Sequence, residues 1–496
     1  MMLQGSDGFA IGFVLLPLVL AVISAGLVIA SRYSVFDLFC IINATAVACS
    51  EFSIAFRALI LPSALLALSA WRRRDRAGRR RLRLDGPFAL LVGYLFLRGF
   101  PLGDSASTGA FVSLMAMFAS ALACCLLFGS LDRPSSRRIL YFYLVCGILA
   151  IAIGTGLDAF GMGPLEEIDL GHPVDTGFSL RLSAGFRHPN TLGFFALLEL
   201  AICLALYRYG AIGRKLAALL GLFLVTTIAA SGARGALVGL ATSLMVAAAV
   251  DRPLRRVIAR IAPAAIAAVT FLLVILAIAN PGDLPGYFIE RYSGIGAERQ
   301  SASLESRGLY WQLAIEVFKN NPLFGVGTQN LPAAMRQMWI PDSYYMFLAP
   351  DVLTPAHNVF LQYASSAGLV GLGLLLFWLA SFAAGSWRCC KTVDSGSQTD
   401  GMLGLICIAA LVSVGLTDVV FGPHWSINLL VAAVCGMIGR PDFRHCIAER
   451  DGIPPHCSVY VGAPVASARY RFRRPRYRQW DVSDLTSATE NSGTPQ

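Results

Sequence analysis

His357 and Asn358, in the stretch Pro355-Ala-His-Asn, stand at the polar start of a helical, glycine-containing run that extends to Gly385. An imidazole, with an ordinary pKa of about 6.5, can take a proton from a hydroxyl as its oxygen attacks a carbon centre. Arg234, in SGARG, and Arg307, in SRGLYW, carry guanidinium groups of the kind that hold phosphate oxygens in paired hydrogen bonds. Together these side chains suit the departure of a pyrophosphate: His357 serves as general base, while Arg234 and Arg307 stabilise the growing charge by ~1.5–3 kcal/mol each. Each also has a plainer use, since His357 can cap a helix at an interface, Arg234 can snorkel to headgroups and Arg307 can solvate its helix. Glu166, Glu167, Asp169, His172 and Asp175 gather in one polar loop without a recognisable metal-ligand spacing. A solvated acidic loop is expected there, and a reaction with neither metal nor cofactor.

The elements that must position these groups are apolar. The 496-residue chain is 56% hydrophobic and 14% charged, with a mean hydropathy of +0.63, which excludes a soluble globule. Apolar runs recur at helix-spanning length and strand-like alternation is missing, so the expected fold is an all-α, polytopic membrane protein of about twelve spans. The net charge of +10 does not call for a nucleic-acid partner. Of the 40 basic residues, 18 lie in four short connectors: WRRRDRAGRRRLRLD at 71–85, DRPSSRR at 132–138, RYGAIGRK at 208–215 and DRPLRRVIAR at 251–260. That pattern marks the inner side of a membrane.

The division that follows is transmembrane helices with short loops over 1–279, a large outer loop over 280–356, further spans over 357–438 and a basic inner tail over 439–496. Phe9 to Ala30 reads as a retained span, whereas Val35 to Trp71, interrupted by Glu51 and Arg57, reads either as two short spans or as one broken one. Within the outer loop Leu309, Leu313 and Val317, with Trp311, Ile315 and Phe318, fall at helical spacing, so an amphipathic helix lying against the membrane is expected. Gly368, Gly371 and Gly373 are expected to let a second helix approach. Arg57, Glu199 and Asp418 are costly inside spans; they either line a pathway or pair with another helix.

His357-Asn358 followed by Gly368-Leu-Val-Gly371 resembles the signature of bacterial O-antigen ligases and the related O-antigen and exopolysaccharide polymerases. RHPNTLGFF at 187–195, SGARGALVGL at 231–240 and SRGLYWQLAIEVFKNNPLFGVGTQN at 306–330 agree in order and spacing, and the resemblance covers roughly residues 180–440. It implies a membrane glycosyltransferase of the GT-C type in the bacterial inner membrane, with its site on the periplasmic side. The donor would be an undecaprenyl-pyrophosphate-linked glycan, and the acceptor lipid A core or a growing glycan. The residues needed would be those matching Arg234, Arg307 and His357, with Asn358, Arg187, His188 and Asn190 lining the site; helix capping by Asn190 is the structural alternative. Ligase and polymerase share donor and site and are not separated by these motifs. A transporter or flippase of the same lipid-linked glycan is the rival class, disfavoured by the one-sided outer cap and the absence of paired broken spans.

Overall fold

The computed structural model describes residues 34–50, 54–74, 85–99, 105–159, 182–186, 188–260, 297–328, 330–336, 338, 356–418 and 425–439. Among them the structure is helical, with no strand. The helices are α1 Val35–Ala48, α2 Ile54–Arg74, α3 Gly86–Arg98, α4 Ser105–Ser130, α5 Arg133–Ala159, α6 Pro189–Arg208, α7 Arg214–Ala230, α8 Arg234–Val250, α9 Ala297–Asn320, α10 Leu331–Arg336, α11 Val359–Cys390, α12 Ser395–Gly415 and α13 Trp425–Ile438. Five stretches, in α4, α5, α6, α11 and α12, are long and apolar enough to cross a membrane, and shorter apolar helices occur in α1, α3, α8 and α13. The first apolar run, most of the arginine cluster, the acidic loop and the tail lie outside the described residues.

Val35 to Trp71 forms two helices, which settles that ambiguity. They are joined through Asn43, whose amide donates to Ile60 O at 3.1 Å and to Ser63 Oγ at 3.0 Å, while its oxygen accepts from Tyr143 OH at 2.6 Å. Arg57 ties α2 to the end of α1: its Nε donates to Ser50 O at 2.7 Å, satisfying a carbonyl just beyond that helix. The apolar stretch of α6 is 83% buried, against 33% for that of α11, so α6 is central and α11 faces outward. α12 packs against α6, α8, α11 and α13.

The connectors at 132–138, 208–215 and 251–260 meet at one end of α6 and α12. There Arg133 pairs with Asp394 at 2.5 Å, Arg208 with Asp251 at 2.5 Å and Arg138 with Asp37 at 3.1 Å; Tyr209 donates to Asp400, and the Arg137 guanidinium lies 4.4 Å over the Tyr209 ring. Burial pushes the Asp394 carboxyl up, but hydrogen bonds from Ser397 and the Arg133 guanidinium outweigh it and hold the group below its usual range. The other ends of α6 and α12, where Pro189 and Gly415 lie, carry the motifs.

α11 is interrupted. Gly368 has φ 70° and ψ −170°, so Val359–Ala367 and Leu369–Cys390 are separate helical segments. A break leaves backbone groups without helical partners, and in apolar surroundings these must be satisfied by other protein groups. The loop after α9 supplies them: Val326 N donates to Ser365 O at 3.1 Å and Gly327 N to Ser366 O at 2.8 Å, while Leu369 N donates to Pro322 O at 2.8 Å and Val370 N to Leu323 O at 3.3 Å. Gly325, φ 65°, and Gly368 meet face to face. A Cβ on Gly325 would strike the Ser366–Ala367 backbone, and one on Gly368 the Leu323–Phe324 backbone. The glycine run therefore serves chain reversal and backbone contact at Gly368 and contact with the Tyr94 ring at Gly371, whereas Gly373 has nothing within 4 Å.

Gly368→Ala is accordingly expected to destabilise the protein by more than the ~1–2 kcal/mol cost of a left-handed backbone alone, because the added methyl also meets Leu323. Gly373→Ala should be neutral or slightly stabilising. Thermal unfolding of the two variants in the same detergent checks this; equal midpoints would remove the break from the stability argument.

Candidate active site

His188 and Asn358 begin the two helices that frame the site. His188 caps α6, its Nδ1 accepting from Asn190 N at 3.0 Å, which frees the Asn190 side chain to donate to Asp418 Oδ2 at 2.9 Å. The capping role that sequence offered to Asn190 therefore belongs to His188. Asn358 is the cap of α11: its Oδ1 accepts from Phe360 N at 2.9 Å and Leu361 N at 3.1 Å, and its Nδ2 donates to Leu416 O at 3.1 Å. His357 precedes the helix and is not in its first turn. Its φ of 47° is left-handed, a conformation costing of order 1 kcal/mol or more that persists only where the surroundings hold it. Pro355 and Arg187 lie outside the described residues.

The imidazole so placed has its Nδ1 3.6 Å from Asp418 Oδ1, and its ring centroid is 5.7 Å from that of Tyr310 on α9. Nδ1 is buried and makes no shorter bond, while the side chain as a whole keeps 27% of its surface exposed, against 16% for Asp418. One carboxylate thus receives an asparagine from the RHPN segment and faces the histidine of the HN segment. Such an arrangement can orient a base, since a carboxylate that accepts from Nδ1–H favours the tautomer whose Nε2 lone pair can accept a proton.

The SGARG segment reaches the same place. Ser231 Oγ donates to Ile228 O at 2.7 Å and accepts from Ala233 N at 3.3 Å, shaping the turn into α8. A Cβ on Gly193 of α6 would lie 2.7 Å from Ser231 Oγ, and one on Gly235 would lie 2.5 Å from Thr417 Oγ1. Small residues at both positions let Arg234, the first residue of α8, start beside Thr417 and Asp418. Arg307 is one helical turn before Tyr310 on α9, so the two share a face. That face differs from the expected one. Leu309, Tyr310, Leu313, Ala314 and Val317 are buried with Leu331, Met335 and Ala356, whereas Ile315 is 37% exposed. Protein covers Leu309, Leu313 and Val317, the part of the apolar stripe that faces α10 and Ala356.

His357, Asn358, His188, Asn190 and the start of α8 at Arg234 thus converge on residues 416–418, and α9 brings Arg307 within a turn of the Tyr310–His357 contact. Asp418 is the residue that sequence reasoning misplaced. The sequence reading puts it inside a span, but α12 ends at Gly415 and Asp418 lies just beyond its last turn. The signal was an acid in a threonine- and glycine-flanked apolar stretch, LTDVVFGPH, which marks a helix end as readily as a span. Glu199, by contrast, is buried in α6 against Gly147 of α5, away from these groups. No group of metal-binding side chains occurs among the described residues.

Fold and site together define a helical membrane protein with an oriented histidine at the ends of its helices and arginine-bearing segments beside it. Residues 217–376 match the family model described as O-antigen ligase, Wzy_C. No curated protein matches the chain. The matched stretch contains Arg234, Arg307, His357 and Asn358; Asn190 and Asp418 lie outside it and are joined to it by the fold.

Removing an N-cap side chain costs ~1–2 kcal/mol. Asn358→Ala, which loses both amide bonds and the tie to Leu416, should lower the unfolding midpoint, and Asn358→Asp, which keeps the cap and loses only the Leu416 bond, should lower it less. Thermal melts of the three proteins in one detergent decide this, and a midpoint for Asn358→Ala equal to wild type would contradict the capping role.

Proposed function

We propose that the chain transfers a glycan from undecaprenyl pyrophosphate to an acceptor sugar on the periplasmic side of the bacterial inner membrane, as an O-antigen ligase or a polymerase of O-antigen or exopolysaccharide. The observation that carries this reading is the His357–Asp418 pair at the meeting point of the motif segments, 3.6 Å apart and partly open. The acceptor hydroxyl bonds to the anomeric carbon while the bond from that carbon to the pyrophosphate oxygen breaks. His357 takes the hydroxyl proton at Nε2, and Asp418, accepting from Nδ1–H, steadies the imidazolium; the long apo distance is one that tightens as charge develops. Arg307 and Arg234 bind the pyrophosphate and stabilise its growing charge. Asn190, at the start of α6, and Asn358, the cap of α11, border the donor's path, and Arg187 and His188 of the same RHPN segment are assigned to the donor as well. About twelve spans in a GT-C arrangement suit this reading, with the site at headgroup depth where a lipid-linked pyrophosphate lies.

Losing a guanidinium that contributes ~3–4 kcal/mol to the departing charge slows transfer by roughly 10²–10³. Arg307→Ala and His357→Ala should each show a loss of that size in purified, folded protein given a lipid-linked donor. Asp418→Asn, which preserves the Asn190 contact in shape, should fall about 10–10² within the range of an impaired base. Near-normal turnover of His357→Ala would end the base assignment, and a wild-type protein that forms no product in detergent, where no two sides exist, would favour a flippase. Transfer is also expected to survive a strong chelator, since guanidinium groups supply the positive charge. Complete loss restored by a single divalent ion would bring the acidic residues at 166–175 into the site.

A further inference from the structure

The loop that fills the break in α11 is held from a third side. Arg98, the last residue of α3, donates from Nε to Phe324 O at 3.0 Å and from Nη2 to Gly325 O at 2.7 Å. Tyr94, one turn earlier, donates from its hydroxyl to Ala367 O at 2.7 Å, the last carbonyl before Gly368. The contacts continue around them: Gly99 lies against Thr328, and a Cβ on Gly327 would sit 3.0 Å from Arg98 O. The surrounding side chains are apolar and open, with Leu97 72%, Leu323 59%, Phe324 55% and Leu369 51% exposed. These belong to the outward faces of α3 and α11 and to the loop packed against both. There a fork-shaped guanidinium can serve both carbonyls at once, as an ammonium cannot.

We propose that Arg98, assisted by Tyr94, is a positioning residue for glycan transfer, fixing the distance between α9 and His357 by locking the Pro322–Gly327 loop into the break of α11. The inference rests on the transfer reading above. Its mechanical basis is independent of that reading. The loop follows directly on α9, with Asn321 N bonded to Val317 O at 3.1 Å, so its placement sets where α9 lies. α9 carries Tyr310, whose ring contacts His357, and Arg307 one turn away. The other half of the break is the segment that Asn358 caps. Arg98 lies outside the matched family domain, so α3 contributes to the site through backbone contacts that no motif near His357 encodes.

The test uses the full-length protein in nanodiscs, with hydrogen exchange and transfer kinetics measured on the same samples. In Arg98→Ala the amides of Val326, Gly327, Leu369 and Val370 should exchange faster than in wild type. Because a misplacement of about 1 Å can cost ~10² in rate, kcat should fall about 10–100-fold while KM for the donor changes less than about threefold. Arg98→Lys should recover part of kcat, and Tyr94→Phe, which deletes one hydroxyl and serves if Arg98→Ala does not fold, should show the same kcat-only loss at smaller size. Gly325→Ala should give the same signature, and combining it with Arg98→Ala should cost less than the product of the two losses. A folded Arg98→Ala with normal kcat would overturn the proposal, as would unchanged exchange. A raised donor KM with unchanged kcat would place the guanidinium on the donor instead. If wild type makes no product yet Arg98→Ala exchanges faster, the transfer reading has failed and the lock is packing alone.

Discussion

A helix interrupted in apolar surroundings must find partners for the backbone groups that the interruption strands, and much of this site depends on how that requirement is met at Gly368. The partners come from another backbone segment and from Arg98 and Tyr94. The consequence is geometric. Backbone-to-backbone bonds over several residues fix two segments to each other more tightly than apolar contacts would, because hydrogen bonds are directional. α9 is thus tied at its end to the helix that His357 precedes, and the Tyr310–His357 contact follows from that tie.

Asp418 solves a second problem. An ionised carboxylate is costly within lipid and affordable only with partners. Placed past the end of α12 and given Asn190 on one oxygen and the imidazole facing the other, it is satisfied at the boundary between apolar helices and polar segments. The same partnership gives the histidine a direction. His357 is held in a left-handed backbone conformation, its ring set between the carboxylate and Tyr310, and the strain of that conformation is consistent with a position selected for what the ring can reach.

Much of this was readable from residue types. Apolar runs of spanning length gave the helical membrane fold, and basic connectors foretold that Arg133, Arg138, Arg208 and the start of α12 would share one end, as their ion pairs with Asp394, Asp37 and Asp251 demonstrate. The helix start at Pro189 was legible because Pro is pre-set for a first helical turn, whereas His357 and Asn358, read as the polar start of a helix, precede α11, which begins at Val359. What was not legible depends on partners distant in sequence. A glycine at 368 reads equally well as a helix-packing contact or as a break, and only Leu323 across from it distinguishes the two. Asp418 read as a charge inside a span, since hydropathy does not register that α12 stops at Gly415. The α9 stripe was found, but whether lipid or protein covers it cannot be decided by periodicity, which is the same in both cases.

The two ends of the bundle divide the work. At the basic end arginines and aspartates from α1, α5, α6, α12 and the turns beside them pair with one another, so charge there is spent on joining helices. α6 is 20 residues long and so spans ~30 Å. Fixing its Arg208 end to Asp251 therefore also fixes the depth of His188 and Asn190 at the far end. α12 runs the opposite way, from the Arg133–Asp394 pair to Asp418, and is fixed by the same logic. Two rigid rods anchored at one end deliver Asn190 and Asp418 to a common level at the other, where their contact of 2.9 Å leaves little room for sliding. The imidazole that faces this carboxylate inherits its surroundings from ion pairs at the other end of α6 and α12.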